Sequence, residues 1–186
     1  MNTATVIFSN MGDTDTLVLK NIWEGIPNVD VVEVNNHNGS FKRKVDTAML
    51  AEKDTLIICG HGYPSGLMSP QFYGDRLIVS DRNSRFIKAK RVIGIWCHAS
   101  AFAKTEGLHG FFSSMFISNK SEAFMNNCTK SDSTIITRKE VLFTKRLNEL
   151  IKSDIPMSEW KCRLIDEADM KIDVTRFNYN GLTYLP

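Results

Sequence analysis

The chain lacks any apolar run approaching the roughly 20 residues that cross a bilayer, so no membrane-spanning segment is expected. It also lacks a basic start followed by a long apolar stretch. Met1, Asn2, Thr3 and Ala4 lead directly into a short apolar run, which argues against a secretory signal and makes a cytoplasmic location the expectation. Charge of one sign is not in excess: 23 Lys and Arg face 21 Asp and Glu, a formal net charge of +2. A long-range basic field for nucleic acid is therefore not indicated, and Lys42, Arg43, Lys44 read as a solvated helix face. The four cysteines, Cys59, Cys97, Cys128 and Cys162, form no CxxC pair. That spacing excludes a zinc ribbon and a disulfide scaffold and leaves free thiols in a reducing compartment. No internal repeat or low-complexity segment is present.

What remains is ordinary for one globular domain. The 186 residues, 42% hydrophobic and 24% charged, suffice for a single domain spanning 1–186 with a substantial core. Thr5 to Phe8 reads as a first strand, closed by Ser9 to Asp13, and Asp13 or Thr14 can cap a helix bearing Leu17, Leu19, Ile22 and Trp23. Asp30 to Val34 reads as the second strand. Ser40 can cap a helix carrying Phe41, Val45, Met49 and Leu50. Thr55 to Cys59 reads as the third strand. Arg76 to Ser80 and Ser84 to Ile87 read as a hairpin around Asp81, Arg82 and Asn83, and Arg91 to Trp96 as the fourth parallel strand. Ala99 to Lys104 and Gly110 to Phe116 read as an interrupted helix, and Ile117, Ser118 as the start of a short strand. Val141, Leu142, Leu147, Leu150 and Ile151 sit at helical spacing. A helix after Pro156 buries Trp160, Leu164, Ile165 and Ala168, and Val174 to Tyr179 reads as a terminal strand. The alternation implies an α/β fold: a three-layer sandwich around a mostly parallel central sheet.

Two apolar runs without polar alternation suit strands buried on both faces. Leu56, Ile57, Ile58, Cys59 breaks into Gly60, His61, Gly62, and Val92, Ile93, Gly94, Ile95, Trp96 ends in Cys97, His98. Neighbouring parallel strands would bring His61 and Cys97 to one sheet edge, where open α/β sheets bind ligands. A cysteine attacks carbonyls as its thiolate, and a nearby histidine can accept the thiol proton and return one to the leaving group. Gly60 and Gly62 permit a sharp turn and close substrate approach, and the amides of Gly62 and Cys97 can face a developing oxyanion. Other uses of these residues fit less well. A phosphate loop needs a lysine and a downstream hydroxyl that are missing, and a tyrosine-phosphatase loop needs an arginine where Ala103 stands. A metal site from His61, Cys97, His98 and His109 matches no recognised ligand frame, so no metal and no cofactor are expected.

The pattern of an apolar strand ending in His and Gly, then an apolar strand ending in Cys, resembles clan CD cysteine peptidases. That group contains caspases, metacaspases, gingipains, legumains, separases and bacterial CHAT domains. The resemblance covers about a third of the chain and is nearest to small caspase-like or CHAT domains. It implies a caspase-like fold, a thiol protease activity on a protein or peptide substrate, His61 as general base and Cys97 as nucleophile. The caspase signature Gln, Ala, Cys is absent, since Ile95 and Trp96 precede Cys97, so aspartate specificity is not implied. Asp75 and Asp81 lie in the hairpin region where the family builds its specificity pocket; an acidic pocket there would favour Arg or Lys. The rival expectation is an inactive caspase-like module that binds a protein or small ligand at the same edge, with a regulatory partner.

Overall fold

The computed structural model describes residues 3–37, 41–70 and 76–186. In chain order β1 (Ala4–Ser9) is followed by α1 (Thr14–Val18), which continues as a 3-10 turn over Leu19–Ile22. Next come β2 (Val29–Val34), α2 (Lys42–Leu50), β3 (Thr55–Cys59), β4 (Gly62–Tyr63), β5 (Gly66–Met68) and β6 (Leu77–Ser80). Then follow β7 (Arg91–Ile95), α3 (Ala99–Glu106), β8 (Gly110–Phe112), α4 (Lys120–Met125), α5 (Ser133–Lys152), α6 (Met157–Leu164), α7 (Asp173–Asn180) and β9 (Thr183–Leu185).

The main sheet has six strands in the order β2-β1-β3-β7-β8-β9, and only β9 runs antiparallel to its neighbour. Period-two alternation divides its side chains between two cores. Val6, Phe8, Ile57, Cys59, Ile93, Ile95 and Phe111 face one side, packed by Phe143 and Leu147 of α5, Trp160 of α6 and Tyr179 of α7. Ile7, Leu56, Ile58, Val92 and Phe112 face the other, packed by Val45 and Met49 of α2 and Phe102 of α3. The result is a mostly parallel α/β sheet with helices on both faces. Among the described residues no helix is long and apolar enough to cross a membrane.

Several elements differ from their sequence-based expectation. Leu77–Ser80 forms its hairpin with the earlier Gly66–Met68, whereas Ser84–Phe86 is a 3-10 turn. Asn83 explains this: its side-chain amide donates to the Ile78 carbonyl and to Asp46, and its oxygen accepts the Ser80 N–H, which curls the chain back on itself. Gly110–Phe112 is a strand and not a helix. Phe111 and Phe112 enter opposite cores, and Gly110 lies so close to β7 that a Cβ would stand 1.9 Å from the Val92 carbonyl oxygen. Val174 to Tyr179 is helical, because the buried residues Val174, Thr175, Asn178 and Tyr179 follow the helical period. The terminal strand lies further on, at β9. Ile117 and Ser118 belong to no strand. The α5 helix begins at Ser133, capped by Asp132, and so includes Arg138 and the turns before it. Leu50 is half-exposed, and Ser40 lies outside the described residues.

Candidate active site

The carboxyl ends of β1, β3, β7 and β8 meet at one edge of the sheet. β3 and β7 are adjacent and parallel, with Cys59 opposite Ile95, and the Gly60 N–H extends the ladder by donating to the Ile95 carbonyl at 3.2 Å. His61 and Cys97 each come two residues after that register pair. Both line one cavity, together with Asp15, Thr16, Leu19, Gly60, Ile95, Trp96, Phe116, Ser118 and Glu140.

His61 is placed by Gly60, whose φ of 145° is a backbone state that side chains disfavour. A Cβ on Gly60 would also stand 2.8 Å from Ser9 of the neighbouring β1. His61 Nε2 lies 3.0 Å from Asp13 Oδ2. Asp13 is the N-cap of α1, and its other oxygen accepts the Thr16 N–H at 2.7 Å and the Thr16 hydroxyl at 2.8 Å. Burial works to raise the Asp13 pKa, but the Thr16 hydrogen bonds and the charge of His61 outweigh it and hold the carboxyl below its ordinary value. An ionised Asp13 accepts a hydrogen bond from Nε2–H, which fixes the tautomer and leaves the Nδ1 lone pair as the basic position of the neutral ring. Sequence reading of the α1 start assigned Asp13 only a capping role.

Cys97 is placed by Trp96 and Ser113. The Ser113 hydroxyl, fully buried, accepts the Trp96 N–H at 3.1 Å and donates to the Trp96 carbonyl at 2.8 Å. The Trp96 indole packs beneath Gly62 and donates to the Tyr63 carbonyl at 3.2 Å. His98 then adopts a left-handed backbone with φ 68°, which turns the chain sharply from β7 into α3. The Cys97 thiol is mostly buried; burial, and after it the charge of Glu122, push its pKa up, and its hydrogen bond to the Phe116 carbonyl at 3.5 Å is one that only the protonated thiol makes. In this state the thiol proton thus points to Phe116, and among the described residues no hydrogen bond joins it to His61. The Cys97 N–H is unoccupied among the described residues.

The remaining expectations divide. Gly62 is buried under Trp96 and is not part of the cavity lining, so its missing side chain serves packing and not substrate approach. Asp81 lies elsewhere, in a cavity of about 570 Å³ lined also by Lys42, Asp46, Arg76 and Arg85, and does not meet His61 or Cys97. Asp75 lies outside the described residues. His109 precedes β8 at the amino edge of the sheet, so it does not converge with Cys97. The acidic residues that do surround the cavity come from α1, α4 and α5. The Ser118 hydroxyl shares its proton between Asp15 Oδ2 at 3.0 Å and Glu122 Oε2 at 3.1 Å. Burial, followed by the charges of Asp15, Glu122 and Asp13, raises the Glu140 pKa to about 9. A sequence signal for Glu140 exists: a carboxyl in the stripe formed by Ile136, Phe143 and Leu147.

Comparison with protein-family models finds no matching family, and comparison with curated proteins finds no significant match.

Proposed function

We propose that this protein is a caspase-like cysteine peptidase in which Cys97 attacks a peptide carbonyl and His61 moves the protons. The observation that carries this reading is the parallel register of β3 with β7, two residues beyond which His61 and Cys97 share one cavity wall. In the reaction the thiol turns from Phe116 toward Nδ1 of His61 and gives up its proton there. The sulfur bonds to the carbonyl carbon, and the C=O electron pair moves onto oxygen. The unoccupied Cys97 N–H is one donor for that oxyanion. Gly62, the second donor expected from the sequence, pairs with Leu67 and lies outside the cavity lining, so the Cys97 N–H is the donor assigned here. Collapse breaks the C–N bond, and His61 protonates the departing amine. Water, deprotonated by His61, then cleaves the thioester and releases the acid and the thiol. Asp13 positions the imidazole and steadies its cationic form, without touching substrate. The chemistry is complete without a cofactor, and the free thiols suit a reducing, cytoplasmic setting.

Electrophilic peptides such as acyloxymethyl ketones test this directly. Covalent labelling at Cys97, lost in Cys97→Ala and strongly slowed in His61→Ala, is the expected result. Absence of Cys97 labelling across a varied peptide set overturns it. One observation favours a second reading, a non-catalytic module binding at the same edge: the thiol is bonded to Phe116 and its pKa is raised. Iodoacetamide rates across pH separate the two. A rate that rises only at alkaline pH and ignores His61→Ala supports the binding module.

A further inference from the structure

Glu140 breaks the pattern of the helix that carries it. Helix α5 buries Ile136, Phe143, Leu147 and Leu150, and Glu140 occupies the same stripe at only 5% exposure. Among the described residues its carboxyl makes no hydrogen bond. An acid this buried costs stability unless water or a ligand meets its carboxyl, and the cavity it lines is where either would do so. The groups around it are mostly of like charge: Asp13 and Asp15 at the start of α1, and Glu122 on α4. Each of these others is already engaged, Asp13 by His61 and Thr16, Asp15 by Ser118 and Asn119, and Glu122 by Ser118. Glu140 alone is unclaimed, and it faces the cavity that Cys97 and His61 also line.

The cavity is narrow, with room for about 20 Å³, the space of one ordered water. Among the described residues no group of His, Cys, Asp and Glu has the arrangement of a metal site, which favours an organic cation. An ammonium is a compact point charge with three donors, whereas a guanidinium is a planar fork that needs greater width. We propose that this cavity receives a primary ammonium group, and that the substrate residue beside the cleaved bond is lysine. The proposal rests on the reading of Cys97 as nucleophile. When the ammonium enters, Glu140 loses its proton to solvent and its carboxylate accepts N–H bonds from the ligand, so one proton is released for each ammonium bound near neutral pH.

Two measurements test it. The first compares peptide substrates with lysine, arginine, norleucine or aspartate before the cleaved bond. Lysine is expected to exceed norleucine in kcat/KM by about tenfold or more, a charge-assisted hydrogen bond's worth, with arginine below lysine. Glu140→Gln is expected to collapse the lysine-to-norleucine ratio, a comparison made within one variant and so indifferent to how much of it folds. The second needs no turnover: n-butylammonium, n-butylguanidinium and 1-butanol are tested for protection of Cys97 against iodoacetamide. Protection by butylammonium alone, absent in Glu140→Gln, supports the pocket. Equal effects of the three compounds, or cleavage that prefers norleucine or aspartate while still requiring Cys97, overturns the pocket and leaves the peptidase reading intact. Failure of electrophilic peptides to label Cys97, together with selective butylammonium protection of Cys97 against iodoacetamide, overturns the peptidase reading and leaves only the ammonium pocket.

Discussion

Asp13 performs two tasks that one substitution can separate. Its Oδ1 caps α1, and its Oδ2 holds Nε2 of His61. Asparagine is as good an N-cap as aspartate, but it carries no charge to orient and stabilise an imidazolium. Asp13→Asn is therefore expected to keep most of the stability while lowering kcat/KM substantially and shifting its pH profile. Asp13→Ala loses about 1 kcal/mol of cap energy besides. Equal activity in the Asn variant and the native protein would remove Asp13 from the mechanism. Glu140 offers a second residue-scale test, with the opposite sign from a paired carboxylate. Its pKa rises from 4.5 to about 9 on folding, so as pH climbs above 4.5 the unfolded chain ionises while the native one stays neutral. Native stability is thus greatest below 4.5 from this group and declines until about 9, a loss of about 3 kcal/mol by pH 7. Denaturant unfolding at pH 5, 7 and 9 should show Glu140→Gln free of that decline relative to the native protein. Parallel pH slopes in the two proteins contradict it.

At the scale of elements, what was legible in the sequence follows from how each segment is buried. β3 and β7 are buried on both faces, so their apolar runs announce themselves, and strands that neighbour in sequence pattern also neighbour in space here. β8 misled because a three-residue strand is too short to display a period, and three phenylalanines close together mimic a helical face. The α7 segment misled because its apolar residues are few and its buried positions include Thr175 and Asn178, the latter gripping both polar backbone atoms of Ile117. The stripe of α5 marks Glu140 as buried, but its meeting with Asp15 and Glu122 could not be read from the sequence, because the three lie far apart along the chain and come together only through packing of α1, α4 and α5. The turn between β3 and β4 makes a testable element. A Cβ at residue 62 would lie 2.1 Å from Trp96 Cδ1 and 2.7 Å from the Gly66 carbonyl oxygen. Gly62→Ala should cost about 1–3 kcal/mol by overpacking and should disturb Trp96, whose backbone leads into the nucleophile. Gly107 has open space around its Cβ position, so Gly107→Ala should cost only about 1 kcal/mol of backbone strain at φ 65° and leave Cys97 labelling unchanged.

Across the whole molecule, the six-stranded sheet forms the floor of the two main cores, and β1, β3, β7 and β8 contribute alternate residues to each. Neither helical layer can therefore lose its sheet without exposing the apolar face beneath the other, which predicts one cooperative unfolding transition. Tryptophans report the two sides separately: Trp96 belongs to the core under α2 and α3, Trp160 to the core under α5 and α6. In a Trp23→Phe background, the Trp96→Phe and Trp160→Phe variants each retain one reporter. Each loses some stability of its own, so the comparison is made within a variant, between its fluorescence and its far-UV circular dichroism. Coincident denaturation curves in both variants are expected. The same transition should govern alkylation of Cys59, which is fully buried in β3 and whose thiol burial pushes far from ionisation. If one tryptophan signal is lost while circular dichroism and Cys59 protection persist, the two layers are separable. The site would then lose its integrity in stages, because Glu140 comes from the layer of α5 whereas β3 and β7 deliver His61 and Cys97.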